Sequence, residues 1–115
     1  MSYNSFEKLD VWKRSCRVAV RMYELLRDCR DYGLKDQMTR AAVSIPSNIA
    51  EGAERDSKKE YIHFLHIAKG SAAELRTQVY IANRIGILCK DFEQEIIEEL
   101  KVISKQLHAL IKSLS

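Results

Sequence analysis

The sequence is poor in the residues that interrupt helices. Its 115 residues include one proline, Pro46, and four glycines. A turn-rich all-β fold needs more of both, so their scarcity argues against such a fold and favours long helices. Hydrophobic residues make up 46% of the chain, which is enough for a core without covalent or metal cross-links.

Cysteine and long apolar runs are scarce as well. The three cysteines, Cys16, Cys29 and Cys89, are odd in number and form no C-x-x-C pair, which argues against a disulfide framework or a zinc site. No apolar run reaches the roughly 18 residues of a membrane-spanning helix. The first residues, MSYNSFEKLD, lack the apolar segment of a secretory signal. We therefore expect a cytoplasmic protein without membrane association.

Motifs that indicate catalysis are also missing. The sequence has no Gly-rich phosphate loop, no H-E-x-x-H and no G-x-S-x-G. His63 and His66 have a spacing that metal sites use, with Glu60 one turn before His63. Both histidines lie off the main apolar face of their helix, and the first two helices offer no inward carboxylate pair to complete a di-metal site. We expect no metal, no cofactor and no enzymatic activity.

Four segments repeat apolar residues with the period of an amphipathic helix. The first runs from about residue 10 to 30 and the second from about residue 35 to 55. The third opens with Ser57-x-x-Glu60, a capping box, and the fourth with Asp91-x-x-Gln94, whose nearby acids match the helix dipole. Together they predict an all-α fold, an antiparallel up-down-up-down four-helix bundle that occupies residues 1–115 as a single domain.

Pro46 lies inside the second segment, in the stretch RAAVSIPSNIAEG. A proline in a helix interior removes one backbone hydrogen bond and costs about 3 kcal/mol. The pattern predicts a helix kinked at Pro46, with hydroxyls of Ser44 and Ser47 bonded to backbone carbonyls one turn back. A real break, with Ser47 or Asn48 capping a new helix, is the alternative.

A polar ridge follows the apolar face of this second helix. We define the polar ridge as Ser44, Asn48, Glu51 and Arg55. It has two interpretations: a set of side chains that fixes how neighbouring helices align, or a docking site for a ligand, a subunit or a partner protein. The spacing alone leaves both open.

The first helix carries two apolar stripes, about 115° apart around its axis. The stripe assigned to the core contains Leu9, Trp12, Cys16, Ala19, Tyr23 and Leu26. The stripe assigned to an oligomer interface contains Val11, Val18, Met22 and Leu25. Because monomers rarely leave such a patch in water, the second stripe predicts self-association.

The third helix also has apolar residues away from its main face. Ile67, Ile81 and Ile85 lie well off the stripe that faces the core. They either widen the buried stripe or form a second contact surface, and the sequence does not decide between the two.

Cationic residues line one side of the first helix, away from both apolar stripes. We define the α1 basic stripe as Lys13, Arg14, Arg17 and Arg21. Such a row suits a phosphate backbone, because each neutralised phosphate releases counterions. Together with Arg40, these residues are the candidate nucleic-acid-binding set. The alternative is a solvated face, since the acids Asp10, Glu24 and Asp28 share that side and can pair with them.

Three stretches of the sequence carry a resemblance to a known family. They are LDVW, GLKDQMTRAAVSIPSNIAEG and FLHIAKGSAAELRTQVYIANRIG. They look like the four-helix-bundle family named after the 23S rRNA intervening sequence, which has small bacterial members. The resemblance implies a ring-like homopentamer and kinship with the accessory proteins of diversity-generating retroelements, basic pentamers that bind nucleic acid and a reverse transcriptase. It implies no settled activity.

Two functions fit these observations. The first is a homo-oligomer that binds RNA or DNA, in which five copies raise the net charge from +3 to about +15 and strengthen the field at the surface. The second is a protein-interaction scaffold that docks a partner chain on the polar ridge and has no direct role with nucleic acid.

Overall fold

The computed structural model describes residues 5–115, which form a short 3-10 helix and four α-helices. The 3-10 helix is Phe6–Lys8, and the α-helices are α1 (Asp10–Leu25), α2 (Tyr32–Ala53), α3 (Lys58–Arg84) and α4 (Lys90–Leu114). Each α-helix packs against the next one along the chain, and α4 also packs against α1. Between residues 5 and 115, the backbones of α1 and α3 are not neighbours, so these two helices occupy diagonal corners of the bundle. The predicted antiparallel four-helix bundle is confirmed.

The N-terminus of α3 is capped by the predicted residue, whereas other residues take the N-cap positions of α4 and α2. The Ser57 hydroxyl accepts a hydrogen bond from the Glu60 N–H at 3.1 Å, which confirms the Ser57 half of the capping box of α3, and it donates to the Glu60 carboxylate at 3.3 Å. In α4, Cys89 takes the N-cap position and Asp91 lies inside the first turn. Helix α2 begins earlier than the pattern predicts, because Asp31 caps it by accepting from the Leu34 N–H at 3.1 Å.

Helix α2 continues through Pro46, which is buried. The alternative of a new helix starting at Ser47 or Asn48 is therefore wrong, while the kink stays a prediction. The Ser44 hydroxyl is not bonded to a carbonyl one turn back. It lies 2.9 Å from the Ser71 hydroxyl of α3, and the Asn48 amide donates to the Ser44 carbonyl at 2.8 Å.

The predicted core positions of α2, α3 and α4 are largely confirmed. Each of these helices buries one apolar stripe at helical spacing. The buried residues that the pattern predicts are Met38, Ala42, Ile45 and Ile49 in α2, Ala68, Ala72, Leu75, Val79 and Ala82 in α3, and Ile96, Leu100, Ile103 and Leu107 in α4.

The two stripes of α1 are the main error of the sequence analysis. Val11, Val18 and Met22, assigned to an oligomer interface, lie in the core of the chain itself with exposures of 5%, 3% and 0%, and Leu25 packs against that core. The reason is Ser15, which lies between Val11 and Val18 and is fully buried. Its hydroxyl donates to the Val11 carbonyl at 2.7 Å, so a polar residue is buried at little cost inside an apolar stripe.

The stripe that the sequence assigns to the core is turned partly outward. Tyr23 is 54% exposed, and Trp12 and Cys16 are half-buried. Val20, which belongs to neither predicted stripe, is 61% exposed. The outer apolar surface of α1 is therefore centred on Val20 and Tyr23, rather than on Val18 and Met22.

Helices α2 and α3 approach each other closely at Gly52. A Cβ atom at this position would lie 2.7 Å from Phe64 Cβ and 3.1 Å from Tyr61 Cδ1. At Gly70, in the middle of α3, an added Cβ would have nothing within 4 Å. Gly52 and Gly70 therefore have opposite roles, because packing requires a glycine only at Gly52.

We expect Gly52→Ala to destabilise the protein by about 1–3 kcal/mol, because the added methyl group forces α2 and α3 apart. The matched control, Gly70→Ala, is expected to stabilise it by about 0.5–1 kcal/mol, because it lowers the backbone entropy of the unfolded chain. Urea denaturation measures both free energies of unfolding. Equal stability of Gly52→Ala and the wild type would contradict the close approach.

Candidate nucleic-acid and interaction surfaces

Arg14 of the α1 basic stripe is held by two carboxylates. Its Nε donates to Asp10 Oδ2 at 2.7 Å, and its Nη1 donates to the two oxygens of Glu99 at 2.9 and 3.1 Å. The Gln106 amide also donates to Asp10 at 2.9 Å. Hydrogen bonds from Gln106 and Arg14 lower the pKa of the Asp10 carboxyl. Arg14 thus joins α1 to α4.

Arg21 makes a second link between the same two helices. Its Nε and Nη2 donate to the two carboxylate oxygens of Glu95 at 2.7 and 3.1 Å, and Nη1 lies 3.6 Å from Glu24. The guanidinium also lies over the Phe92 ring, 5.2 Å from its centroid. The hydrogen bond from Arg21 lowers the pKa of Glu95. We call the Arg14–Glu99 and Arg21–Glu95 pairs the α1–α4 clasps.

The other candidate cations are separate from the clasps. Lys13 and Arg17 are exposed, and no salt bridge engages either of them in the part of the chain that the structure describes. Arg40 lies on α2, is 81% exposed at its side chain, and is 3.7 Å from Asp36. The fold therefore leaves only two cations of the α1 basic stripe unengaged.

A groove of about 590 Å³ lies between α1 and α4, beside the clasps. Its apolar part is formed by Cys16, Val18, Val20 and Ile96, and the clasp residues line the rest together with Arg17 and Glu24. Burial raises the pKa of the Cys16 thiol, so this sulfur stays protonated and weakly nucleophilic at neutral pH.

The polar ridge directs most of its hydrogen bonds into the chain. The Asn48 amide donates to the Ser44 hydroxyl at 2.9 Å, and that hydroxyl also contacts Ser71. Arg55 donates to Glu51 at 2.9 Å and lies over the Phe64 ring, 4.9 Å from its centroid. These contacts align α2 with α3, which favours the structural interpretation of the ridge.

The apolar residues of α3 that the pattern left undecided are partly exposed. Ile67, Ile81 and Ile85 have exposures of 38%, 46% and 57%. Ile67 and Ile81 lie on α3 and Ile85 is its C-cap residue, and α3 is not a neighbour of α1. The exposed apolar surface of α3 is therefore separate from that of Val20 and Tyr23.

His63 and His66 are both exposed. The His63 ring packs edge-on against Phe64, with 5.6 Å between the ring centroids. Over residues 5–115, no three His, Cys, Asp or Glu side chains come together in a way that could hold a metal ion. In the same range, every helix is too short or too polar to span a lipid bilayer.

The acidic partners of Arg14 and Arg21 are not evident from the sequence. Glu95 and Glu99 lie near the start of α4, where acids match the helix dipole. Because the dipole alone explains acids at these positions, their pairing with arginines of α1 is not expected from the sequence. A signal was present, since Arg14 and Arg21 are two turns apart on α1 and the acids are one turn apart on the antiparallel neighbour. Only the packing of the helices shows that the two sets face each other.

The geometry defines a class of protein: a small antiparallel four-helix bundle with salt-bridged helices and two exposed apolar faces. The chain belongs to the 23S rRNA-intervening sequence protein family, whose model matches residues 7–109. The resemblance seen in the sequence is thereby confirmed.

A solved structure has the same fold. It is described as a protein with unknown function from the S23 ribosomal protein family of Bacteroides thetaiotaomicron VPI-5482. The TM-score is 0.84 at 26% identity, over 89% of this chain and 98% of that chain. A comparison with curated proteins gives no significant match.

We expect the Arg21–Glu95 clasp to make stability depend on pH. The pKa of Glu95 is lowered in the folded protein, so the clasp stabilises the fold at pH values above about 4.3, the usual value for glutamate, and this contribution is lost as the pH falls through the folded-state value. Glu95→Gln should lower the Tm by about 2 °C at neutral pH, and by less as the pH approaches about 3.

Circular dichroism melts at a series of pH values measure this effect. Glu98→Gln is the matched control, because Glu98 is exposed and lies outside the salt bridges of the described residues. A Tm difference between Glu95→Gln and the wild type that stayed constant down to acid pH would contradict the assignment.

Proposed function

We propose that this protein is a non-enzymatic homo-oligomer that binds RNA or DNA in the bacterial cytoplasm. The family resemblance implies that the oligomer is a ring-like homopentamer. The observation that carries the proposal is the pair of exposed apolar faces on the diagonal helices α1 and α3. The polar ridge supports a structural rather than a catalytic use of its side chains, since they are hydrogen-bonded within the chain.

Two unlike faces on helices that are not neighbours favour head-to-tail association. Val20 and Tyr23 on α1 are more than half exposed, and Ile85, the C-cap residue of α3, is 57% exposed. Soluble monomers rarely leave extended apolar surface in water. If the α1 face of one copy covers the α3 face of the next, the contact is heterologous, and heterologous contacts that close form rings.

Nucleic acid is the partner that the charge favours. The chain carries a net charge of +3, and an assembly of five copies would carry about +15, which concentrates polyanions near its surface. Lys13 and Arg17 are the members of the α1 basic stripe that remain available. Arg14 and Arg21 would first have to release the α4 acids.

A protein partner docked on the polar ridge has weaker support. The Ser44 and Asn48 side chains already bond each other and Ser71. Only Glu51 and Arg55, at the end of α2, present exposed polar atoms, and these two pair with each other.

Native mass spectrometry of protein purified without nuclease tests the proposal directly. We expect a homo-oligomer that retains RNA or DNA and loses it when the salt concentration is raised. A monomer with no bound polynucleotide at low salt would reject both parts of the proposal.

We expect Val20→Asp and Ile85→Asp each to raise the dissociation constant of the oligomer at least about tenfold, because each places a charge in an apolar contact. The Tm of the dissociated chain should change little, since both side chains are exposed. Gln94→Asp, on the exposed surface of α4, is the matched control. Sedimentation equilibrium measures the effect, and unchanged association of both variants would contradict the assigned faces.

A further inference from the structure

A second row of cations lies where α3 packs against α4. Lys69 Nζ is 3.4 Å from His108 Nδ1 across this seam, which places these two residues at the same level of the bundle. Arg76 is two helical turns from Lys69 on the same side of α3, and Lys101 is two turns from His108 on α4. Because the helices are antiparallel, Arg76 and Lys101 share a level about 10 Å from the first pair.

The cations at this seam are not neutralised by ion pairs. Lys101 and Lys105 are exposed and Lys69 and Arg76 are half-buried, and none of them belongs to a salt bridge within residues 5–115. One turn before Lys101 on α4 lies the acid Glu98, and no salt bridge joins the two. This surface therefore differs from the α1 basic stripe, where two of the four cations are held by the clasps.

Arg76 has an unused hydrogen-bond donor. Its Nε is buried and has no hydrogen-bond partner, which is costly for a charged group. If the guanidinium turns outward to a phosphate, this atom gives up no bond inside the protein. Arg14 would have to release both Asp10 and Glu99 to do the same.

An aromatic side chain lies beside these cations. Tyr80 is one turn beyond Arg76 on the same side of α3 and is 41% exposed. Its ring is available for stacking, and nucleic-acid bases stack on aromatic rings only when they are unpaired and accessible. Cations that follow a backbone, combined with an exposed aromatic ring, are typical of single-strand binding surfaces.

We propose that this surface binds single-stranded nucleic acid. We define the α3–α4 strip as Lys69, Arg76, Tyr80, Lys101, Lys105 and His108. The lysines and Arg76 contact phosphates, and a base stacks on Tyr80. The inference rests on the nucleic-acid binding proposed above and moves the contact surface from the α1 basic stripe to the other side of α4.

Fluorescence anisotropy with labelled oligothymidylate tests the strip over a series of salt concentrations. Lys101→Glu/Lys105→Glu should lower the affinity at least about tenfold and flatten the slope of log K against log salt by about 1.4, the value for two lost phosphate contacts on a single strand. The comparison variant, Lys13→Glu/Arg17→Glu, changes the net charge equally at the competing surface on α1, and the strip predicts a smaller loss of affinity for it, at most about threefold.

Tyr80 gives an independent readout. Tyr80→Ala should weaken binding about fivefold or more while the salt slope stays unchanged, since stacking releases no counterions. Tyr80→Phe keeps the ring and should bind like the wild type. Melting temperatures establish that the variants remain folded.

Each contrary outcome has a distinct meaning. If the wild type binds and only the Lys13/Arg17 variant loses affinity, the strip is overturned and the proposed function survives on α1. If both charge variants lose affinity equally, the strip is overturned, because net charge alone then explains the binding. Tighter binding of duplex than of single-stranded DNA overturns the single-strand assignment, and no binding by the wild type overturns the strip together with the proposed function.

Discussion

The contact between α1 and α4 determines which side of α1 faces the interior. Arg14 and Arg21 reach Glu99 and Glu95 across this contact, and in that orientation Val18 and Met22 point inward while Val20 and Tyr23 point outward. Partly exposed ion pairs of this kind are each worth at most about 1 kcal/mol. Burial of the apolar side chains therefore supplies most of the free energy, and the clasps add to the stability of the observed orientation. The exposed faces that support self-association follow from that orientation.

Patterns confined to one helix are well predicted from this sequence. The capping box at Ser57 and the buried stripes of α2, α3 and α4 needed only local spacing, and the bundle followed from them. The predicted orientation of α1 is wrong because Ser15 is counted as a polar, exposed residue in a hydrophobicity pattern. Its hydroxyl donates to the carbonyl one turn back, so the residue can be buried. The partners of Ser44 and of the clasp arginines lie on other helices, 27 to 85 residues away. Spacing within one helix carries no information about such partners.

The positive charge that a surface of this bundle presents depends on how many of its cations are in ion pairs, and not only on how many cations it has. The densest run of cations in the sequence, on α1, is the one most engaged by acids. The cations of the α3–α4 strip are spread over two helices and do not stand out in the sequence, yet none of them belongs to a salt bridge of the described residues. A net charge as small as +3 is therefore compatible with a locally strong positive surface, since Glu95 and Glu99 pair with cations where α1 meets α4.

Gly52 has a consequence for related chains. It stands where the side chains of Phe64 and Tyr61 lie directly against the backbone of α2 and leave no room for a Cβ atom. This position therefore limits the distance between α2 and α3, because any residue other than glycine brings at least a Cβ atom. A relative with a larger residue there must move the two aromatic side chains aside or set these helices farther apart.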